Sequence, residues 1–506
     1  MHSDSLFAPI RVAASRTRLS QLRDRFREDS AAVLPLVAVM MIVLLGMAAF
    51  ATDLGWFYVN ATRIQRAAEA AALSGVVELP DNIAGSSAIA TGIAGDNGYT
   101  NGPTTTVTPN PQPNGALTQL EVTITDQVDT FFLTLFGMDT QAITRSATAE
   151  YVPPLPLGSD TNLFGNDPVS GIFPNFWANI HGRHTDVRMG DAFSSYCADG
   201  AGSGNSGCAM NLTHRETGYT FGIEAAGGIV HIRALDGMFR NESGGNPNDN
   251  GIRTGDHNDF CGAGPVACAG PTTAFKVYAP DATPLDLTDN GPPICTQTFG
   301  PEAQVPAAQP WVGSDWQPVC SISTSAGLIY PMQVTVDGFG GETDDGLNRF
   351  SIKVTPGSRI FGIGDMSIFN NFTGTTDFFL AEVADFYRGK TFVVELYDPG
   401  DAGGGGTVQI KDPAGATYGS CEMFSRGEVN QPWTSLGTRA PCEFLAQNNG
   451  GANDYNGDWV KVEMELPDTY SCANCWWKVN YLFPGAVSDT TTWRAYVIGA
   501  PVHLVP

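Results

Sequence analysis

The sequence predicts an α+β, multidomain protein: an N-terminal transmembrane and stalk helix, a small α+β module, then two β-sandwich-like domains. Three observations carry this. Residues 31–52 form a run of 22 residues without a charge. As a helix this run is about 33 Å long, enough to cross a hydrocarbon core of about 30 Å. Beyond it Leu54, Phe57, Ala61, Ile64, Ala68, Ala71 and Gly75 recur every three or four residues, the period of one helix face. After residue 153, short alternating runs punctuated by Gly and Pro read as strands.

The segment 1–30 is basic. It carries Arg11, Arg16, Arg18, Arg23, Arg25 and Arg27 against Asp4, Asp24, Glu28 and Asp29. Positive charge on this flank predicts a cytoplasmic N-terminus, with the bulk of the chain extracytoplasmic at the cell membrane. Asp53 marks the outer interface, and Trp56, Phe57 and Tyr58 fall where an interfacial aromatic belt belongs. Ala49-Phe50-Ala51 has the small-x-small form of a signal cleavage site. The apolar run is longer than a signal h-region, and the helical stripe continues past it, so an uncleaved anchor is the reading. No Gly precedes Gly46 and no Cys precedes Cys197, which speaks against prepilin-type processing and a lipoprotein anchor.

The 506 residues carry 27 basic and 52 acidic side chains, a formal net charge of −25. That argues against a nucleic-acid-binding surface and for an acidic exposed portion. The ten cysteines suggest disulfides formed in an oxidising compartment. The shortest pairing is sequential: Cys197–Cys208, Cys261–Cys268, Cys295–Cys320, Cys421–Cys442 and Cys472–Cys475. Spacing leaves the connectivity open.

The order "REDSAAVLPLVAVMMIVLLGMAAFATDLGWFYVNATRIQRAAEAAALSGV" resembles the N-terminal module of TadG-like proteins of the Tad (Flp) pilus-assembly system. The residues that carry the likeness are a polar lead, the apolar helix, Asp53-Leu54-Gly55 at its outer end, and Arg63 to Gly75. The stretch from "AGDNGYTNG" to "ALTQLEVTITDQVDTFFLTLFGMDTQAITRSATAEY" looks like the family's small second module. The resemblance implies an uncleaved membrane protein with a pseudopilin-like helix and no enzyme activity. Its partners would be the lipid bilayer and other pilus-assembly or pilin proteins. Some relatives carry a von Willebrand A domain, whose metal site needs Asp-x-Ser-x-Ser. Here Asp365-Met366-Ser367-Ile368-Phe369 departs at the last position.

The expected layout is a cytoplasmic segment 1–30, a transmembrane helix 31–52, a stalk helix 53–79 and a small module 80–152. In that module 83–95 reads as helix, Val122 to Thr125 as strand, 130–136 as a short helix closed by Gly137, and 142–151 as strand. Two β-sandwich domains follow, 153–355 and 356–506. They are suggested by an apparent repeat in which "FKVYAPDAT" is mirrored by "VQIKDPAGAT", each followed by a cysteine, Cys295 or Cys421. Each copy then ends in two strands, "LIYPMQVTVDG" with "LNRFSIKVTPG" and "CWWKVNYLF" with "TTWRAYVIGAPVHLV".

No catalytic or cofactor site stands out. Cys472-Ala-Asn-Cys475 has redox spacing but precedes a strand rather than a helix, so a local disulfide is favoured. "NPNDNGIRTGDH" at 246–257 imitates a calcium loop yet ends in His257 where a bidentate Glu is needed. Asp337, Glu342, Asp344 and Asp345 form a better oxygen-rich cluster and are the calcium candidates, although a polar hairpin turn has the same composition. His181 and His184 could ligate a metal, but no Glu completes a hydrolase helix. The aromatic residues leave a surface glycan as the partner of an alternative, adhesin-like reading.

Overall fold

A computed structural model of the chain describes residues 16–79, 82–183, 185–196, 211–236, 272–280, 290–299, 316–336, 347–399, 405–446, 455–498 and 502–505. The fold is α+β, with one long apolar helix and then mostly antiparallel β-structure. The chain forms two compact units, Met1–Glu150 with Leu504–Pro506, and Tyr151–His503.

In the first unit, helix α1 (Arg16–Gly75) runs without a break through the apolar stretch and the expected stalk. Residues 33–48 are exposed, as a lipid-facing segment outside a membrane would be. The burial pattern then changes. Ile64, Ala67, Ala68, Ala71 and Ala72 are buried, along with Val76 just beyond the helix. Alanine leaves the helix surface low, so neighbouring backbone can approach closely. The neighbours are α2 (Ile83–Asp96) and a sheet made of β1 (Thr105–Pro111), β2 (Gln119–Asp129) and β3 (Thr140–Tyr151). Gly75 lies against both. A Cβ there would sit 2.7 Å from Ser86 O and 2.7 Å from Leu120 Cδ2. The backbone oxygen cannot yield, so Gly75→Leu is expected to destabilise this packing by ~1–3 kcal/mol. Faster hydrogen exchange in α2 is the measurement.

Helix α2, β2 and β3 lie where the sequence places them. Strand β1 was not expected. Pro109 and Pro111 argue against a strand, but β1 pairs only with β2 and forms a sheet edge, where missing N–H donors are tolerated. The sheet order is β1-β2-β3 and then Val502–Val505, the C-terminal strand of the chain.

The second unit has a contiguous core running from Val152 to Val497. The boundary expected at 355/356 falls inside it. Phe176 meets Phe378 with ring centroids 6.2 Å apart, and Phe193 meets Trp459 at 5.9 Å. Phe176–His181 pairs with both Leu347–Val354 and Asp365–Glu382. The two expected C-terminal strands are one strand, Trp476–Val497, paired along its length with Asp365–Glu382. Pro484-Gly485 lies between the two expected strands. Here it is absorbed where the register shifts between Thr373 and Thr375, because a long partner strand supplies the pairing on either side. The apparent repeat also differs in pairing. Thr273–Val277 pairs with the strand after Cys295, whereas Gly406–Lys411 pairs with the strand after Cys442.

The buried carboxylate of Asp167 in this unit is matched. Asp167 accepts from Lys353 Nζ (2.8 Å), Ser170 N (3.0 Å) and Trp316 Nε1 (3.2 Å). Burial pushes its carboxyl up, but these donors outweigh burial and hold it below its ordinary value of 3.8. A carboxyl depressed on folding contributes stability that is complete above 3.8 and is lost as pH falls toward the folded value. The stability advantage of the wild type over Asp167→Asn is therefore expected to shrink below pH 3.8. Urea midpoints on either side of that pH measure it.

Candidate functional site: the end of the apolar run

Asp53 is the first charged residue after the uncharged run, yet it is fully buried. Its partners lie in the loop between β2 and β3. Phe131 N donates to Oδ1 at 2.9 Å, and Phe132 N and Leu133 N donate to Oδ2 at 3.0 and 2.8 Å. These amides lead into the 3-10 turn Leu133–Phe136, whose N-cap is Phe132, so Asp53 does from a distant helix what an N-cap side chain does locally. Burial pushes the Asp53 carboxyl up and the three amide donors outweigh it, leaving it below its ordinary 3.8. Trp56, one turn along, packs on Phe131 with ring centroids 5.5 Å apart. Phe57 is half-buried and Tyr58 is exposed. Of the four residues expected at the interface, Asp53 and Trp56 thus clasp the module, and Tyr58 faces out.

The loop is closed by its own bonds. Thr130 N donates to Asp139 O at 3.0 Å, and Thr130 Oγ1 to Met138 O at 2.6 Å. Gly137 takes φ +79°, which favours glycine, and donates to Thr134 O at 3.0 Å. Further along α1, Gln65 Nε2 donates to Glu69 Oε1 at 2.9 Å and to Ser146 O on β3 at 3.3 Å. The apolar stripe of the stalk is therefore packed on its own module from Ala61 onward.

Three expected disulfides are formed: Cys295–Cys320, Cys421–Cys442 and Cys472–Cys475. Cys197, Cys208, Cys261 and Cys268 lie outside the described residues, as do His184, the 246–257 loop and the calcium candidates Asp337, Glu342, Asp344 and Asp345. His181 is buried, with Nδ1 3.2 Å from Ser195 Oγ. Asp365, in the segment compared with a von Willebrand A metal motif, is held by Arg215, whose Nη1 donates at 2.7 Å. A cavity of about 440 Å³ in the second unit is lined by Asp186, Arg188, Thr213, Tyr397, Glu428 and Trp459. Trp459 and Tyr397 are 2% and 4% exposed, so neither presents an open stacking face.

The helix carries an apolar run long enough, by length and composition, to cross a membrane, and then builds the core of a small α+β module tied to the end of the run, which defines a class of helix-led module. Within that class, residues 31–78 match the family described as "Putative Flp pilus-assembly TadE/G-like". The match supports a TadG-like Tad pilus-assembly protein, and it covers the helix rather than the β-rich unit. No curated protein matches the chain.

Proposed function

We propose that this protein is a non-enzymatic, single-pass membrane component of a Tad/Flp-type pilus-assembly system. The N-terminus is cytoplasmic, residues 31–52 cross the membrane, and the β-rich unit is extracytoplasmic and binds pilus or envelope partners. The observation that carries this is the coincidence of the family match at 31–78 with one continuous helix whose outer half is the core of the module. The test is the N-terminal sequence and membrane partitioning of the native protein, together with pilus counts in a deletion strain. An intact N-terminus in the membrane fraction and loss of pili are the expected results. A mature chain beginning near Thr52 and free in the medium would overturn the anchor.

The alternative, a tethered adhesin, has the 440 Å³ cavity as its one structural support. Detergent-solubilised full-length protein binding to a glycan array, with pili intact in the deletion strain, would favour it.

A further inference from the structure

We propose that the loop between β2 and β3, from Phe131 to Met138, is a membrane-docking knob seated in the interfacial layer of the bilayer that the helix crosses. This rests on reading residues 31–52 as the membrane anchor. The loop's sequence, FFLTLFGM, has no charged residue and is bracketed by Asp129 and Asp139. Five of its apolar side chains are exposed. Leu135 is 82% exposed, Phe136 79%, Phe131 54%, Met138 48% and Phe132 42%. Side chains of this kind are ordinarily buried, and here they cluster on one short turn.

The turn is held rigidly in place by the Thr130 and Gly137 bonds, and its backbone is fastened to Asp53. Asp53 is the residue immediately after the uncharged run, so the clasp sets the turn at the level where the helix leaves the hydrocarbon. Phe50, one turn before Asp53 on the same helix face, is itself 57% exposed. The apolar surface therefore continues from the helix onto the loop through Trp56 and Phe131. That continuity selects lipid as the occupant, because whatever surrounds Phe50 extends over the knob. An apolar element lying in the interface would sink about 5–10 Å into the headgroup boundary.

The test uses the full-length protein in phosphatidylethanolamine–phosphatidylglycerol vesicles, spin-labelled at single introduced cysteines, with unsubstituted protein as the labelling blank. Leu135→Cys and Phe136→Cys report the knob, and both positions are exposed enough to spare the fold. Leu44→Cys reports the anchor. Leu117→Cys, beyond the opposite end of β2 and about 34 Å away along the strand, reports water. The expected result is an oxygen-to-nickel collision ratio severalfold higher at 135 and 136 than at 117, with 44 higher still. Labels at 135 and 136 that match 117, while 44 stays oxygen-rich, would sink the knob and leave the anchor standing. A nickel-accessible label at 44 would remove the anchor itself. Labels at 135 and 136 that are immobilised and shielded from both reagents would mean a protein partner, and would overturn lipid as the occupant.

Discussion

Asp53→Ala is expected to free the β2–β3 loop from α1 while leaving the protein in the membrane fraction. The substitution removes the acceptor for three backbone N–H groups and changes nothing in the apolar run. Those donors have no local replacement, because a 3-10 turn leaves its first amides unpaired and depends on a cap. Trp56 would keep part of the contact through Phe131. Amide hydrogen exchange at Phe131, Phe132 and Leu133 should rise to the rate of an exposed loop, with α2 less affected. Asp53→Asn retains one acceptor oxygen and should give an intermediate rate. Unchanged protection at all three amides in the alanine variant would refute the clasp.

The largest loss of stability is expected from Asp191→Ala in the second unit. Asp191 is fully buried and gathers donors from three segments. His181 N donates at 3.0 Å, Phe193 N at 3.1 Å and Ser194 N at 3.0 Å, and the hydroxyls of Ser194 and Tyr219 also donate to it. His181 N also donates to Ser194 Oγ at 2.8 Å and keeps that partner, but removing the buried acceptor strands the other donors away from water, so the cost is about 3–5 kcal/mol rather than that of one hydrogen bond. Tyr219→Phe deletes one donor and leaves no orphan on the partner side, so it should cost far less. Urea unfolding followed by tryptophan fluorescence reads both, since Trp459 packs on Phe193 next to this network. Equal effects from the two variants would mean that Asp191 does not organise the segment.

Much of the N-terminal unit was legible because its signals are local. A 22-residue uncharged run is read as helix from its length and composition alone. The period of Ala61, Ile64, Ala68 and Ala71 names the buried face of α1 without naming what covers it. Alternation placed β2 and β3, and Gly137 closed the turn between them. The sequence places Asp53 and Trp56 just past the end of the uncharged run, but it does not show what they bind. The sequence marks Asp53 as an interfacial charge, whereas its hydrogen bonds reach residues 78 to 80 positions further on.

The β-rich unit shows the limit more sharply. Alternation says which residues share a strand face and nothing about which strand lies alongside. Strand-rich segments were therefore found, while the continuity of Trp476–Val497 through Pro484-Gly485 and the core shared across residue 355 were not. Strand β1 was missed for a related reason, since its prolines are acceptable only at an edge, and edges exist only in the assembled sheet. By itself the sequence determined the apolar helix, its packed face and the turn chemistry, because each depends on residues within a few positions of one another. Tertiary structure alone decided the partner of Asp53, the return of Val502–Val505 to the first sheet and the single core of the second unit. Those depend on pairing across tens to hundreds of residues, where only the folded chain brings donor to acceptor.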